Sequence, residues 1–397
     1  MNEFSGLGMR SQGYPRNDLN IVANTAALNK YKAVESFCGP GGMSLGLGWA
    51  GFDVAVAFDY DGPSVSTHKN NLAGHCFQAD ARNVTGEQLM ELAGVRKGEL
   101  ALFAGGPPCQ GFSKQRRGGH LDDERNDLVF DYIRLVEQIK PRFLLFENVA
   151  IFGQLRGKKY LAAMQDRLSD YFLVPHFYNA ADYGLPQTRE RFVVVGERKD
   201  QKSHFTIPSP IAKKWRTVGE VLRGLPEPPL DYSVHELLPN HQRAKVTSIN
   251  IERFKHVPQG GGWQDIPHHL RLPCHQGADP KSGGWPDVYG RLRTNGQCPT
   301  ITGGFDSFTR GRYGHPTEDR PITPREAARL QGFPDKFAFH GNRGDVRSQI
   351  GNVVPPPLAE AIGIEILRAL LISDGKLGLD FRIGTRPTVQ TELSLAA

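Results

Sequence analysis

Cys109 has the setting most suited to chemistry. It stands in GGPPCQGFS (105–113), directly behind Pro107 and Pro108, which follow Gly105 and Gly106. Such a stretch can be neither helix nor strand interior. The thiol is therefore either in a plain turn or held out to react. A free thiol ionises near ~8.5 and needs only modest help to become a thiolate nucleophile. A helix starting in QGFS would supply that help through its N-terminus. Cys38, Cys76, Cys274 and Cys298 read instead as small core hydrophobes.

Three further stretches carry chemistry-bearing residues. In FENV (146–149), Glu147 ends an apolar run; a carboxyl at the edge of a hydrophobic site holds its proton more readily and can act as an acid. In QTRER (187–191), Arg189 and Arg191 point the same way if the segment is extended, and suit a carboxylate together with a phosphate or a base carbonyl. Alone, RER is as well read as a solvated charge run. FCGPGG (37–42) follows one apolar run and precedes another. Such a turn fits a nicotinamide enzyme, a methyltransferase, or no ligand at all.

Positioning these residues needs a scaffold, and the apolar pattern supplies one. KAVESFCG, DVAVAFD (53–59), HCFQADA (75–81), LALFAGGPP (100–108), RFLLFENV (142–149) and RFVVVGE (191–197) read as strands. Between them, Met43–Ala50, HKNNL and DLVFDYIRLVEQIKP (127–141) have helical character. Alternation of this kind predicts an α/β fold with parallel strands buried on both faces, and ligands bound outside their carboxyl ends. Glu35, Asp59, Asp80, Cys109 and Glu147 all fall at those ends. Asp59 suits ribose hydroxyls, Tyr60 suits an adenine face, and Asp80 suits an adenine amino group; each alone is as well read as a cap or a solvated acid. From about residue 200 the alternation fails, giving a second, loop-rich domain rich in Gly, Pro, His and Trp. QIGNVVPPPLAEAIGIEILRALLI (349–372) then reads as a loop and a helix returning to the first domain.

Composition narrows the class. No cysteine pair has CxxC spacing, which argues against a zinc site or disulfide framework and for a reducing compartment. HHLRLPCH (268–275) has the wrong spacing for zinc as well. The N-terminus has no apolar signal core, and the apolar stretch 362–372 carries Glu365 and Arg368, so neither reads as a membrane segment. Residues 201–335 hold 18 Lys and Arg against 13 Asp and Glu, which suggests a polyanionic partner without establishing one.

Taken together and in this order, the motifs resemble the DNA (cytosine-5) methyltransferase family, in particular its bacterial restriction-modification type. FCGPGGMSLGL is similar to the family's cofactor loop, GGPPCQGFS to its nucleophile motif, ENV to its acid motif and QTRER to its paired-arginine motif. RPITPREAARLQGFPD (320–335) and IGNVVPPPL (350–358) resemble its last two motifs. The resemblance implies a Rossmann-like S-adenosylmethionine-dependent sheet over 31–199, a target-recognition domain over 200–340, and a return to the catalytic domain over 341–380. A polar arm (1–30) and a tail (381–397) flank them. It implies that Glu35, Phe37, Gly39, Gly41, Gly42, Asp59, Tyr60, Asp80, Ala81, Pro107, Leu128, Asn352 and Val353 hold S-adenosylmethionine, leaving S-adenosylhomocysteine as product. Cys109 is then the nucleophile, Glu147 the acid at the base, and Arg189 and Arg191 orient Glu147 and the cytosine carbonyl. Two positions depart from the pattern: Glu35 stands where Asp is usual, and Asp59 where Glu is.

The resemblance further implies double-stranded DNA as partner, with the target cytosine flipped out. Ser113, Lys114, Gln115, Arg116 and Arg117 lie in a charged loop expected to close over it. Arg253, Lys255, Gln259, His268, His269 and Arg271 are candidates for reading bases. The expected protein is a cytoplasmic, nucleoid-associated monomer with no bound metal, independent of any cognate restriction endonuclease. An RNA cytosine methyltransferase is the nearest alternative, but the long basic insert and the lack of a Cys-Phe-Thr signature disfavour it. A non-catalytic regulator is expected to have lost Cys109 or Glu147. A dehydrogenase leaves Cys109 and QTRER unexplained.

Overall fold

The computed structural model describes residues 31–108, 127–154, 157–211, 214–276 and 287–378. Cys109, Ser113, Lys114, Gln115, Arg116 and Arg117 lie outside the described residues. Two compact units share the rest, one containing 31–179, 190–211 and 354–378, the other 180–189 and 214–353.

The first unit is built on β1 (Lys32–Ser36), β2 (Asp53–Asp59), β3 (His75–Gln78), β4 (Leu102–Gly105), β5 (Phe143–Val149), β6 (Tyr171–Asn179) and β8 (Glu190–Arg198). The intervening β7 (Gln187–Thr188) belongs to the other unit. The strand order is β3-β2-β1-β4-β5-β8-β6. Strands β1 to β5 run parallel, and Val34, Phe103 and Leu144 are fully buried at their centres. Burial on both faces is why these strands read as near-continuous apolar runs. Two features depart from the sequence expectation. Strand β8 runs antiparallel to β5 and β6. Strand β6 itself was not anticipated, because Pro175 interrupts it; as the sheet's edge strand it tolerates a residue without an N–H.

Helices close the βα units. Gly62–Asn71 is capped by Asp61, whose side chain accepts from Ser64 N at 2.9 Å. Leu128–Ile139 ends at Lys140, which takes a left-handed φ of 53° just before Pro141. The final helix, Pro356–Ser373, packs on Gly42–Ala50. The approach needs glycine at Gly46, where a side chain would collide with Pro356 O and Ala359. Among the described residues no helix is long and apolar enough to cross a membrane.

The second unit has little regular structure. β7 pairs in parallel with β9 (Cys298–Pro299), and Phe254, Val257, Trp263, Ile266, Tyr289 and Phe308 form an apolar cluster. Loops leave carbonyls without ladder partners, and burial makes those groups costly. Buried arginines satisfy many of them. Arg291, lying 4.0 Å over the Phe254 ring, donates to the carbonyls of Phe254, Val257, His315 and Glu318. Arg325 donates to Pro239, Pro334 and Phe337. A planar guanidinium with five N–H donors suits this task. Part of the basic excess read from the sequence is thus internal.

Candidate active site

The parallel strands bring Ser36, Asp59, Gly105 and Glu147 to one edge of the sheet, with Ser36 registered against Phe58 and Gly105, and Gly105 against Phe146. Glu147 is 8 % exposed. Its Oε1 lies 2.9 Å from Arg191 Nε. The register explains the meeting. Glu147 faces Val193 and Val149 faces Arg191, so the acid and the arginine are diagonal neighbours on one face of the β5–β8 pair. Burial lowers the Arg191 pKa from its ordinary value, and the Glu147 carboxylate opposes that shift.

This neighbourhood requires glycine at 105 and fits closely around Gly106. A Cβ at Gly105 would run into Ser36 Oγ and come within 3.1 Å of the Tyr132 ring; one at Gly106 would sit 3.0 Å from Glu147 Oε2. Asn148 then ties the segment down. Its Nδ2 donates to Pro107 O at 3.1 Å, and its Oδ1 accepts from Val149 N at 2.9 Å. The chain leading to Cys109 is thereby fastened beside Glu147. The sequence marks Asn148, with Glu147, as a polar residue at the carboxyl edge of the sheet, but does not give it this tie to Pro107.

On the other side of β4, the loop after β1 turns through left-handed residues Phe37 (φ 55°), Gly39 (φ 53°) and Gly41 (φ 97°). Gly41 admits no side chain, because a Cβ would strike Leu72 and come within 2.8 Å of His68 Cδ2. At Gly39 a Cβ would meet nothing within 4 Å. Gly42 is buried and opens the helix to Ala50. Asp59 accepts from Gly39 N (2.8 Å) on one carboxylate oxygen and from Asp61 N (2.9 Å) on the other. Each oxygen retains acceptor capacity for a hydroxyl. Burial raises the Asp59 pKa, and the two N–H donors oppose it. Tyr60 beside it is 73 % exposed, an unusual state for so large a ring. An open glycine turn, a pinned acid and a free aromatic face fit an adenosyl group.

The remaining candidates are more occupied. Glu35 is 2 % exposed and accepts from Ser44 Oγ; burial pushes its carboxyl up to about 8. Asp80 caps the turn at Ala81 and forks with Arg82, with Nη2 to Oδ2 at 2.5 Å, an ion pair that lowers its pKa. Ala81 O accepts from Arg134 at 2.7 Å, and Leu128 opens its helix half-buried. Arg189 is fully buried in the second unit. Its terminal nitrogens donate to Ile301 O (2.9 Å), Gly351 O (3.0 Å) and Val353 O (2.9 Å). The extended segment breaks at Arg189, between β7 and β8, so the arginines of QTRER serve different units. Asn352 and Val353 also belong to the second unit; Asn352 Nδ2 donates to Ser348 Oγ at 3.1 Å.

Residues 31–368 match the family model described as C-5 cytosine-specific DNA methylase. The chain belongs to that family. Type II methyltransferase M.XorII of Xanthomonas oryzae pv. oryzae is 34 % identical over 364 residues, spanning 85 % of this chain and 84 % of that relative. Type II methyltransferase M.BbvI of Brevibacillus brevis is 32 % identical over 358 residues, spanning 85 % and 91 %. A crystal structure described as that of a DNA modification methyltransferase encoded within an E. coli prophage superposes with a TM-score of 0.67. It is 29 % identical and covers 86 % of this chain and 99 % of that one. This chain is accordingly a DNA cytosine-5 methyltransferase with a Rossmann-like sheet.

In this DNA methyltransferase the candidate base-reading side chains are largely held by their own unit. Arg253 donates to Leu270 O (2.6 Å) and Asn250 Oδ1 (2.9 Å), and Arg271 to Ile266 O (2.7 Å) and Gln264 O (2.6 Å). Gln259 Oε1 accepts from Thr294 N at 2.9 Å. Lys255 is exposed, 3.0 Å from Glu252, and His268 and His269 are exposed.

Proposed function

We propose that the protein methylates C5 of a flipped-out cytosine within a specific double-stranded DNA sequence, as the modification enzyme of a restriction-modification system, with S-adenosylmethionine as methyl donor. The observation that carries the reading is the fastening of Gly106 and Pro107 against Glu147 and Asn148, which sets the segment entering Cys109 beside an arginine-held acid.

In this mechanism the Cys109 thiolate adds to C6 of the ring, and Glu147 delivers a proton to N3 as electrons arrive there. C5 thereby gains the electron pair with which it takes a methyl group. The bound cofactor supplies that group as a sulfonium methyl, held by Phe37, Gly39, Asp59 and Tyr60. Loss of the C5 proton to solvent then returns electrons to the ring and expels the thiolate, while N3 gives its proton back to Glu147. Arg191 keeps the Glu147 carboxyl turned toward the base throughout. The second unit supplies sequence selection, and Lys114, Arg116 and Arg117 contact phosphates. The active species is a monomer that needs no endonuclease bound to it.

The test uses duplexes carrying 5-fluorocytosine, from which fluorine cannot leave as a proton does. Incubation with S-adenosylmethionine is expected to trap a covalent complex on Cys109. An adduct that persists in Cys109→Ser, or none on a duplex whose unfluorinated form is methylated, overturns the mechanism.

A further inference from the structure

We propose that Cys38, His68 and Cys76 form a binding site for one thiophilic divalent cation of the zinc class, immediately behind the glycine turn after β1. Sequence spacing argued against zinc because these residues are far apart along the chain. The fold supplies what the spacing lacks. Cys38 follows β1 and is fixed by its N–H to Phe58 O at 3.1 Å. Cys76 lies on β3, registered against Ala57 of β2. The small Ala57 side chain and Val65 pack with both cysteines. His68 comes from the helix Gly62–Asn71.

All three are at least 96 % buried: Cys38 is 4 % exposed, His68 1 % and Cys76 2 %. One ligand atom from each lies within 4.8 Å of the others. The two sulfurs are 3.9 Å apart. In a tetrahedral zinc site with Zn–S near 2.3 Å, neighbouring sulfurs are separated by about 3.8 Å. The thiols therefore already stand at the spacing a shared cation imposes.

The imidazole gives the second, independent indication. His68 Nε2 lies 3.1 Å from Ser44 Oγ, and Ser44 in turn donates to Glu35. His68 Nδ1 is buried with no hydrogen bond of ordinary length, while the ring interacts with the Cys76 thiol beside it. A core nitrogen without such a bond is costly. A histidine that ligates a metal gives its other N–H to an oxygen, often backed by a carboxylate, which fixes tautomer and ring orientation. The relay from Nε2 through Ser44 to Glu35 has that form and leaves the Nδ1 lone pair for the cation. Three protein ligands leave a fourth position for a further donor.

A second group of candidate ligands, His315, Glu318 and Glu326, differs in kind. Arg320 pairs with both glutamates there, at 2.8 Å and 2.7 Å, and already supplies the positive charge. Around Cys38, His68 and Cys76 no such arginine pairing occurs among the described residues. A cation there would tie the glycine turn to β3 and to the helix Gly62–Asn71, stiffening the Gly39–Gly41 backbone.

The full-length protein is purified without chelators and its metal content measured. It is then stripped and titrated with zinc, and separately with cobalt, whose thiolate charge-transfer absorption reports sulfur ligation. One equivalent is expected to bind with that absorption and to raise Tm by about 5 °C. Cys38→Ser and Cys76→Ser are expected to lose the equivalent, and Cys274→Ser to keep it. A wild-type protein that takes up no stoichiometric metal and whose Tm zinc leaves unchanged overturns the site. So does binding retained in the Cys38→Ser/Cys76→Ser double variant, or a Cys38–Cys76 disulfide in freshly purified protein. The wild-type titration decides the question if the variants do not fold.

Discussion

Arg191 reaches Glu147 across the β5–β8 pair, Nε to Oε1 at 2.9 Å, with each side chain only 11 % exposed. Separating such a pair leaves one charge buried without its partner, at roughly 3–5 kcal/mol. Arg191→Ala is therefore expected to lower stability and to cut the methyl-transfer rate by about 10²-fold, the usual scale for general acid catalysis. Arg191→Lys keeps a charge but loses the planar geometry, and an intermediate loss is expected. Single-turnover rates with Glu147→Gln and the Arg191→Ala/Glu147→Gln double variant check the coupling. If the two rate losses simply multiply, the residues act independently and the pairing is not what positions the acid.

Gly105 and Gly106 are adjacent but constrained by different neighbours. A Cβ at Gly105 meets Ser36 Oγ, Ser36 O and the Tyr132 ring inside the sheet, whereas one at Gly106 meets the movable end of Glu147. Gly105→Ala is expected to destabilise by about 1–3 kcal/mol through overpacking, with partial recovery when combined with Ser36→Ala. Gly106→Ala is expected to leave the urea midpoint nearly unchanged while slowing adduct formation, because the acid must move. Equal midpoint losses for both variants would contradict this division.

Much of this site was legible because chemistry and backbone punctuation coincide. Asp59 and Glu147 end apolar runs, and Pro107-Pro108 cannot continue a strand past Gly105, so their places at strand ends follow from local sequence. QTRER was harder. Alternation along an extended segment predicts that Arg189 and Arg191 share a direction, but the strand breaks at Arg189, and no local signal announces that break. The residue's carbonyl partners at 301, 351 and 353 are more than a hundred positions away. Strand β6 was hidden by Pro175, whose tolerance depends on an edge position that only the tertiary fold defines. Likewise, Cys38, His68 and Cys76 share no recognisable spacing, since a sheet and a helix bring them together.

Arg189 separates a structural role from a catalytic one. Its terminal nitrogens serve carbonyls in two separate stretches, at Ile301 and at Gly351 and Val353, and the side chain is fully buried. Arg189→Met removes those donors and leaves buried acceptors unpaired, at roughly 1–3 kcal/mol each. A fall in Tm and faster proteolysis within 214–353 are expected. Full stability together with a lost transfer rate would place Arg189 at the base instead.

Glu197, on β8, gives a pH signature distinct from catalysis. It is 3 % exposed and accepts from Phe205 N (2.7 Å) and Ser203 Oγ (3.1 Å). Burial nevertheless pushes its carboxyl from 4.5 up to about 7. The folded state therefore holds this proton more tightly than the unfolded chain. Between those values the native protein binds more protons, so stability falls as pH rises. The contribution is complete below pH 4.5 and gone above about 7, a span on the order of 3 kcal/mol. Glu197→Gln carries no titrating group and is expected to lack this component. Urea midpoints from pH 4.5 to 8 check it: the variant's curve is expected to fall less steeply than the wild type's, and two parallel curves would mean that Glu197 stays ionised throughout.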